Sequence, residues 1–290
     1  MTTILQLEPG SAAWYSYMTA SKVAAVLGES RWQSPRSLWH LMHGDVQPEP
    51  QTTAQARGHY LEPAILDWFF DQHPELYRRT NLGTYVDGWK AATPDSVGWD
   101  SELSKLYPVE AKTDGGDYSW GEPGTDEIPT EYALQGMWTM HVLGAERIYF
   151  PLLTTRLRFV EYHLDYSAEV GAYLEAKCRA FLDSLLLDSP PELDDHTATY
   201  EVLRRLHPDI DRDSGVELDE VTARQFVDAT LAERQAETAS TRAKAAITEA
   251  MGTAHKAYFD GHLIAYRKPS SSGTPYPQAA RNLPVLGDPA

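Results

Sequence analysis

The chain has 290 residues, 42% of them hydrophobic and 11% aromatic, a composition that excludes a disordered protein and supports a substantial core. A formal net charge of −17 argues against a generic nucleic-acid binder with a basic coat, while leaving room for a basic lining or for carboxylates offset by divalent cations. One cysteine, Cys178, excludes an intramolecular disulfide and any cluster built on several thiolates. With no basic leader and no long apolar window, a soluble, cytoplasmic protein outside the membrane is expected.

In chain order, Thr19 or Ser21 is placed to cap a short helix that buries Val23, Val26 and Leu27 and stops at Gly28. Ser34-Pro35 opens a second helix, apolar at Leu38, Trp39, Leu41 and Met42 and ended by Gly44. His40 and His43 are three apart and read as surface or boundary histidines rather than metal ligands. Residues 45–56 read as a polar loop. From Arg57 the pattern turns helical, with Leu61, Ile65, Trp68 and Phe69 on one stripe. Glu62 sits beside that stripe in what reads as the first turn, where a carboxylate complements the helix dipole.

Residues 82–93 carry strands around an Asp87-Gly88 turn and lead to Pro94-Asp95. Val109-Glu110-Ala111-Lys112 follows. If 107–113 is extended, Glu110 and Lys112 project from one face, and if 96–105 loops back, Asp95 and Glu110 meet. Two carboxylates that close repel unless a proton or a divalent cation lies between them. All-oxygen ligation suits Mg²⁺ or Mn²⁺, and a neighbouring ammonium can orient a water toward phosphate. The same letters also read as a turn pair and an edge-strand dipeptide, so the pattern needs support from elsewhere.

Residues 114–129, rich in Gly, Pro and Asp around Trp120, read as a surface excursion or a mobile flap beside a site. A helix from Thr130 to Gly144 sets Tyr132, Gln135 and Thr139 on one stripe. Two strands then reverse at Thr154-Thr155-Arg156, and a long helix over 167–187 carries Cys178 as a buried bystander. Pro190-Pro191 marks a linker. Beyond 216 come an Ala- and Glu-rich helix with a Glu220–Arg224 pair, an Asp260-Gly261 hairpin and a loosely held tail. The expected division is a core over 1–190, a linker over 191–215 and a C-terminal helix, hairpin and tail over 216–290.

Thr19-Ala20-Ser21 before a helix ending at Gly28, Gly58-x-x-x-Glu62, Thr93-Pro94-Asp95, Glu110-x-Lys112 and Tyr132-x-x-Gln135 follow one another between residues 10 and 165. In this series the sequence resembles the PD-(D/E)xK nuclease superfamily and, within it, the YqaJ-like phage recombination exonucleases, the family of the phage lambda exonuclease. The resemblance implies an α/β (α+β) fold: a restriction-endonuclease-like core of a mixed central sheet flanked by helices, here with a C-terminal helix and hairpin extension. It implies a Mg²⁺-dependent (or Mn²⁺-dependent) exonuclease with two ions per site. Such an enzyme digests linear double-stranded DNA from its ends, 5′→3′, in homologous recombination. A single-strand annealing protein as partner and a homo-oligomer, a trimer by analogy, are implied as well.

By position, the resemblance gives Asp95, Glu110 and the Ala111 carbonyl to the metal, with Glu62 joining directly or through water. Lys112 would orient the attacking water, Gln135 would support the site, and Ser21 and Thr93 would meet a terminal phosphate. The arginine that relatives carry before the Thr-Ala-Ser segment is missing from Trp14-Tyr15-Ser16-Tyr17-Met18, which leaves Lys22, Arg31 or Arg57 to substitute. That gap favours, as runner-up, a structure- or end-specific endonuclease or nickase on the same core. A non-catalytic acidic DNA mimic is the reading from another class. Against it stands the joint presence of Glu62, Asp95, Glu110 and Lys112.

Overall fold

A computed structural model describes residues 2–50, 52–79, 83–116, 120–271 and 273–285, in two compact units, Met1–Ile210 and Asp211–Ala290. The first unit begins β1 (Thr3–Leu5), α1 (Ala12–Tyr15), β2 (Met18–Thr19), α2 (Ala20–Val26), α3 (Pro35–His43), α4 (Thr53–Gln72) and β3 (Leu76–Arg79). It continues β4 (Thr84–Asp87), β5 (Lys90–Ala92), β6 (Ser96–Asp100), β7 (Lys105–Val109), β8 (Lys112–Thr113) and α5 (Thr130–Leu143). Last come β9 (Arg147–Leu153), β10 (Phe159–Asp165), α6 (Ala168–Leu186) and α7 (Thr197–Leu206).

The larger sheet has six strands in the order β10-β9-β7-β6-β3, with β8 pairing β9 beyond the end of β7. β7 and β8 run parallel to β9, so the chain must cross over between them, and α5 makes that crossover. The smaller sheet has the order β1-β4-β5-β2. This mixed sheet flanked by helices is the α+β arrangement the sequence leads one to expect.

Alternation along β9 sorts the core onto two faces. Ile148, Phe150 and Leu152 pack with Met137, Trp138 and Met140 of α5 and with Leu174, Cys178 and Phe181 of α6. Tyr149 turns the other way, against Phe69 of α4 at 5.3 Å between ring centroids. Cys178 is fully buried there, and burial pushes its thiol up to about 12, so it is an inert packing residue. The buried Trp138 divides its indole N–H between the carbonyls of Met18 (3.3 Å) and Ala91 (3.2 Å), which ties α5 to the small sheet. Close approach of α5 to β9 depends on Gly136, where a Cβ would lie 2.5 Å from Phe150 Cζ.

Several expectations are corrected. α4 starts at Thr53, inside the stretch read as a polar loop, because that stretch has no helix breaker after Pro50. The 96–105 interval does loop back, and it does so as a paired β-hairpin, β6 to β7. The 191–215 linker contains α7, whose Thr199 and Val202 are buried with Leu203 and Leu206 half-buried, an amphipathic spacing masked by the prolines and acids before it. Ser34 Oγ and Thr199 Oγ1 lie 2.6 Å apart, and Arg36 donates to the Pro191 carbonyl at 2.5 Å, so 191–206 belongs to the first unit. Leu82, in the expected strand region, and 117–119, in the expected flap, lie outside the described residues. Residues 120–129 are docked: Tyr162 donates to the Gly121 carbonyl at 2.9 Å, and Trp120 stacks on Tyr132.

The second unit consists of α8 (Glu220–Met251), β11 (Lys256–Phe259), β12 (His262–Lys268) and β13 (Tyr276–Ala279). Asp219 caps α8 by accepting the Thr222 N–H at 2.9 Å, and Arg224 meets Glu220 at 2.7 Å. The Asp260-Gly261 turn closes the expected hairpin, with φ of 48° and 76°. The tail is not wholly loose, since β13 adds a third strand to β12. No described helix is long and apolar enough to cross a membrane.

Candidate active site

The hairpin brings Asp95 to Glu110. β6 and β7 pair with Ser96 opposite Val109, so one residue further out Asp95 stands across from Glu110. The Ala111 N–H donates to Asp95 Oδ2 at 2.8 Å and closes that end. Val109 pairs with Tyr149 and Lys112 with Leu152, so the chain advances three residues on both strands and Glu110 and Lys112 share a face. That face looks onto α5. Lys112 Nζ donates to Glu110 Oε2 at 3.0 Å, and Gln135 Nε2 donates to the same oxygen at 2.9 Å. Glu110 is 2% exposed, and its second oxygen, Oε1, is buried with no hydrogen-bond partner among the described residues.

These groups set one another's charge. Burial, with help from Asp95 and Glu62 and against the pull of Lys112, pushes the Glu110 carboxyl up to about 7. Asp95 is also raised: surrounding protein disfavours its charge, while Lys112, the Ala111 N–H and His59 oppose the shift. The residue is nevertheless exposed to solvent. Burial works against the Lys112 ammonium, but Glu110, Asp95 and Glu62 outweigh it and hold the amine above its ordinary value. A charged lysine among three acids is the result.

Glu62 lies well inside α4, nine residues after Thr53, so the first-turn reading was wrong and the helix dipole does not account for it. Its carboxyl is raised by burial and by Asp95, and lowered by His59 and Lys112. The acid is therefore within electrostatic range of the others. Pro63 follows it inside the helix and removes one N–H, which leaves the His59 carbonyl without a helical partner. Arg57, five residues before Glu62, projects about 140° around the helix from it and is exposed, so it is not gathered with the acids.

Ser21 and Thr93 are brought to the same strand end. β2 and β5 pair in parallel with Thr19 opposite Ala91, which carries both hydroxyls two residues past a shared register point. Both are exposed; Ser21 Oγ lies 3.2 Å from Thr19 Oγ1, and Thr93 Oγ1 lies 2.8 Å from Thr84 Oγ1. Lys22 is a different case. It is 1% exposed, with Nζ donating to the Trp14 (2.8 Å) and Tyr17 (2.6 Å) carbonyls under the Trp14 ring, so it cannot reach a ligand as the substitute for the missing arginine.

Other residues were missed. Glu131 stands one turn before Gln135 on the same stripe of α5. Its carboxyl is raised by burial against the pull of Arg31, Ser30 and Lys112, which puts a further acid near the site. Tyr132, named in the Tyr132-x-x-Gln135 series but given no role, places its ring 5.2 Å from Lys112 Nζ. His59, three residues before Glu62, comes within 3.8 Å of it. Helical spacing from Gln135 and from Glu62 was the available signal. His40 and His43 hold no metal-type set: each bonds Asp45 at 2.7 Å through Nδ1. Among the described residues, no group of three or more His, Cys, Asp or Glu is gathered as a ready-made metal centre.

Residues 12–146 match the family of YqaJ-like viral recombinase domains. Over that stretch, which is under half of the chain, the sequence is similar to YqaJ-like viral recombinase domains. Its profile ends just after α5 and takes in Glu62, Asp95, Glu110, Lys112 and Gln135. Among solved structures, the chain is similar to LHK-Exo in complex with dAMP, at 21% identity over 69% of this chain and 97% of that one, with a TM-score of 0.50. A second structure of LHK-Exo, an alkaline exonuclease from Laribacter hongkongensis, matches at 20% identity over 68% and 96%, with a TM-score of 0.48. A phage-related exonuclease from Haemophilus somnus 129PT matches at 10% identity over 66% and 96%, with a TM-score of 0.43. No curated protein sequence matches the chain. The similarity to the dAMP complex supports the fold around the YqaJ-like domain.

Proposed function

We propose that the YqaJ-like domain is a DNA exonuclease of homologous recombination. It hydrolyses phosphodiester bonds at the ends of linear double-stranded DNA, 5′→3′, with Mg²⁺ or Mn²⁺. The observation that carries this reading is Glu110: buried, fixed at one oxygen by Lys112 and Gln135, unsatisfied at the other, and facing Asp95 across a hairpin end. A divalent ion fits these donors. Asp95, Glu110 and the Ala111 carbonyl, with Glu62 directly or through a water, are all oxygens. Their small number suits an ion that keeps several waters of its own. Two such ions, when bound, would neutralise charge on the attacking and leaving oxygens.

The chain's own residues do the rest. Lys112, kept protonated by its acids, orients a water toward the phosphorus. Gln135 fixes one oxygen of the Glu110 carboxylate and leaves the other without a hydrogen-bond partner among the described residues. Ser21 and Thr93 offer hydroxyls to the terminal phosphate. A single-strand annealing protein as consumer of the product, and a homo-oligomeric enzyme, complete the reading.

A Mg²⁺-dependent time course on 5′-phosphorylated and 5′-hydroxyl linear duplexes, beside a closed circular plasmid, tests it. Linear DNA should disappear, faster with the phosphate, and the circle should persist. Cutting of the circle would replace the exonuclease with an endonuclease, and equal rates on both ends would remove Ser21 and Thr93 from their role.

A further inference from the structure

Away from the carboxylates, a cavity of about 350 Å³ opens between α3 and α7, within the size range of small-ligand pockets. We propose that it is a nucleotide subsite, in which a single-stranded segment of the DNA stacks a base on Trp32. That the ligand is DNA rests on the nuclease reading above; the subsite itself rests on how Trp32 is presented.

Trp32 is 65% exposed at the cavity rim. A lone exposed tryptophan is unremarkable, but the backbone under this one is fixed at every turn. Ser30, itself buried, accepts the N–H groups of Trp32 (3.1 Å) and Gln33 (3.3 Å) on Oγ. The Ser30 carbonyl meets His196 Nε2 at 3.1 Å, which anchors the loop to the start of α7. The indole is thus held out on a rigid support, which lowers the ordering cost of anything stacked upon it.

The chemistry of the walls agrees. Leu41, Val46 and Val202 give the cavity an apolar floor that a base plane can cover. At the rim Arg205 pairs with Glu49 at 3.3 Å, and Glu201 stands nearby, so the charges nearly balance. Such a rim suits one base with its single phosphate and does not suit a run of phosphates. In a chain of net charge −17, stacking is the mode of binding single strands that depends least on a basic track. The loop is also joined to the active site: Ser30 Oγ donates to Glu131 Oε1 at 3.4 Å, one helical turn from the glutamine that holds Glu110.

The test is fluorescence anisotropy of a labelled oligodeoxythymidylate of about ten nucleotides, without divalent cation so that nothing is cleaved. Trp32→Ala should weaken binding on the order of 10-fold, and Trp32→Phe should restore most of it, since stacking needs only an aromatic face. On linear duplex, Trp32→Ala should raise KM and leave kcat in place. Equal affinity of wild type and Trp32→Ala, or no binding by the wild type, overturns the subsite; the second outcome would turn the cavity toward an apolar peptide of a partner. Cleavage that persists without any Trp32 effect ends the subsite alone. Trp32-dependent binding by a wild type that cleaves nothing ends the nuclease reading alone.

Discussion

Lys112 and Lys22 both lose most of their water in the first unit, one with a side chain 13% exposed and the other a residue 1% exposed, yet their amines are shifted in opposite directions. Lys112 lies against Glu110, with Asp95 and Glu62 near, and these acids hold its amine above the ordinary value. Lys22 meets two main-chain carbonyls and the face of Trp14, 3.7 Å from the ring centroid, and burial pushes its amine down to about 7. Burial is common to both; the partners differ. Carbonyl dipoles and an indole face cancel less of the desolvation cost than carboxylates do. The first lysine keeps a charge available to a ligand, and the second spends its hydrogen bonds on holding the 14–17 turn against α2.

The largest effect expected from this contrast is on cleavage. Lys112→Ala should reduce the rate on linear duplex by on the order of 10²–10⁴-fold, as should Asp95→Asn, while circular dichroism stays unchanged. Folding survives the loss of Lys112 because Glu110, with a carboxyl already near 7, can take up a proton in its place. Lys22→Met should leave the same rate within a few fold. A Lys22→Met protein as inactive as Lys112→Ala would erase the distinction between the two lysines.

The side of the comparison that belongs to Lys112 was legible in the sequence. A period of two put Glu110 and Lys112 on one face, and helical spacing put Gln135 on a stripe of α5. Whatever pairing register sets was read only conditionally or through the resemblance. Asp95 meets Glu110 because Ser96 pairs with Val109, and Ser21 and Thr93 both follow the same end of the small sheet because Thr19 pairs with Ala91. Neither register is written in a local pattern. Lys22 was misread for the same reason. A lysine between Ser21 and Val23 looks like the wet side of a short helix until α1 is known to fold back over it. The α7 helix, by contrast, was readable from Thr199, Val202, Leu203 and Leu206, and was hidden only by the Pro-rich, acidic approach to it.

A middle-sized effect sharpens the link between packing and the site. Gly136→Ala forces a Cβ toward Phe150 and should destabilise the fold by about 1–3 kcal/mol, read as a lower denaturation midpoint. Because Gln135 is the neighbouring residue, the displaced helix should also draw its amide away from Glu110 and lower kcat more than it raises KM. A variant that melts early but cleaves normally would separate the packing of α5 from the placement of Gln135.

Lys22 also imposes a pH dependence on stability. Its folded value of about 7 lies below the ordinary 10.5, so between those two values the unfolded chain binds more protons than the folded one. Stability contributed by this residue therefore rises with pH across that interval, by up to about 1.4 kcal/mol per unit for one proton, and is flat below it. Lys22→Met removes the proton and with it the slope, so the two proteins' stability curves, measured by urea denaturation, should converge as pH climbs from 7 toward 10. Parallel curves would mean that the Trp14 and Tyr17 carbonyls hold the ammonium as firmly as the carboxylates hold Lys112. The two lysines would then differ only in what they touch and not in the direction of their shift.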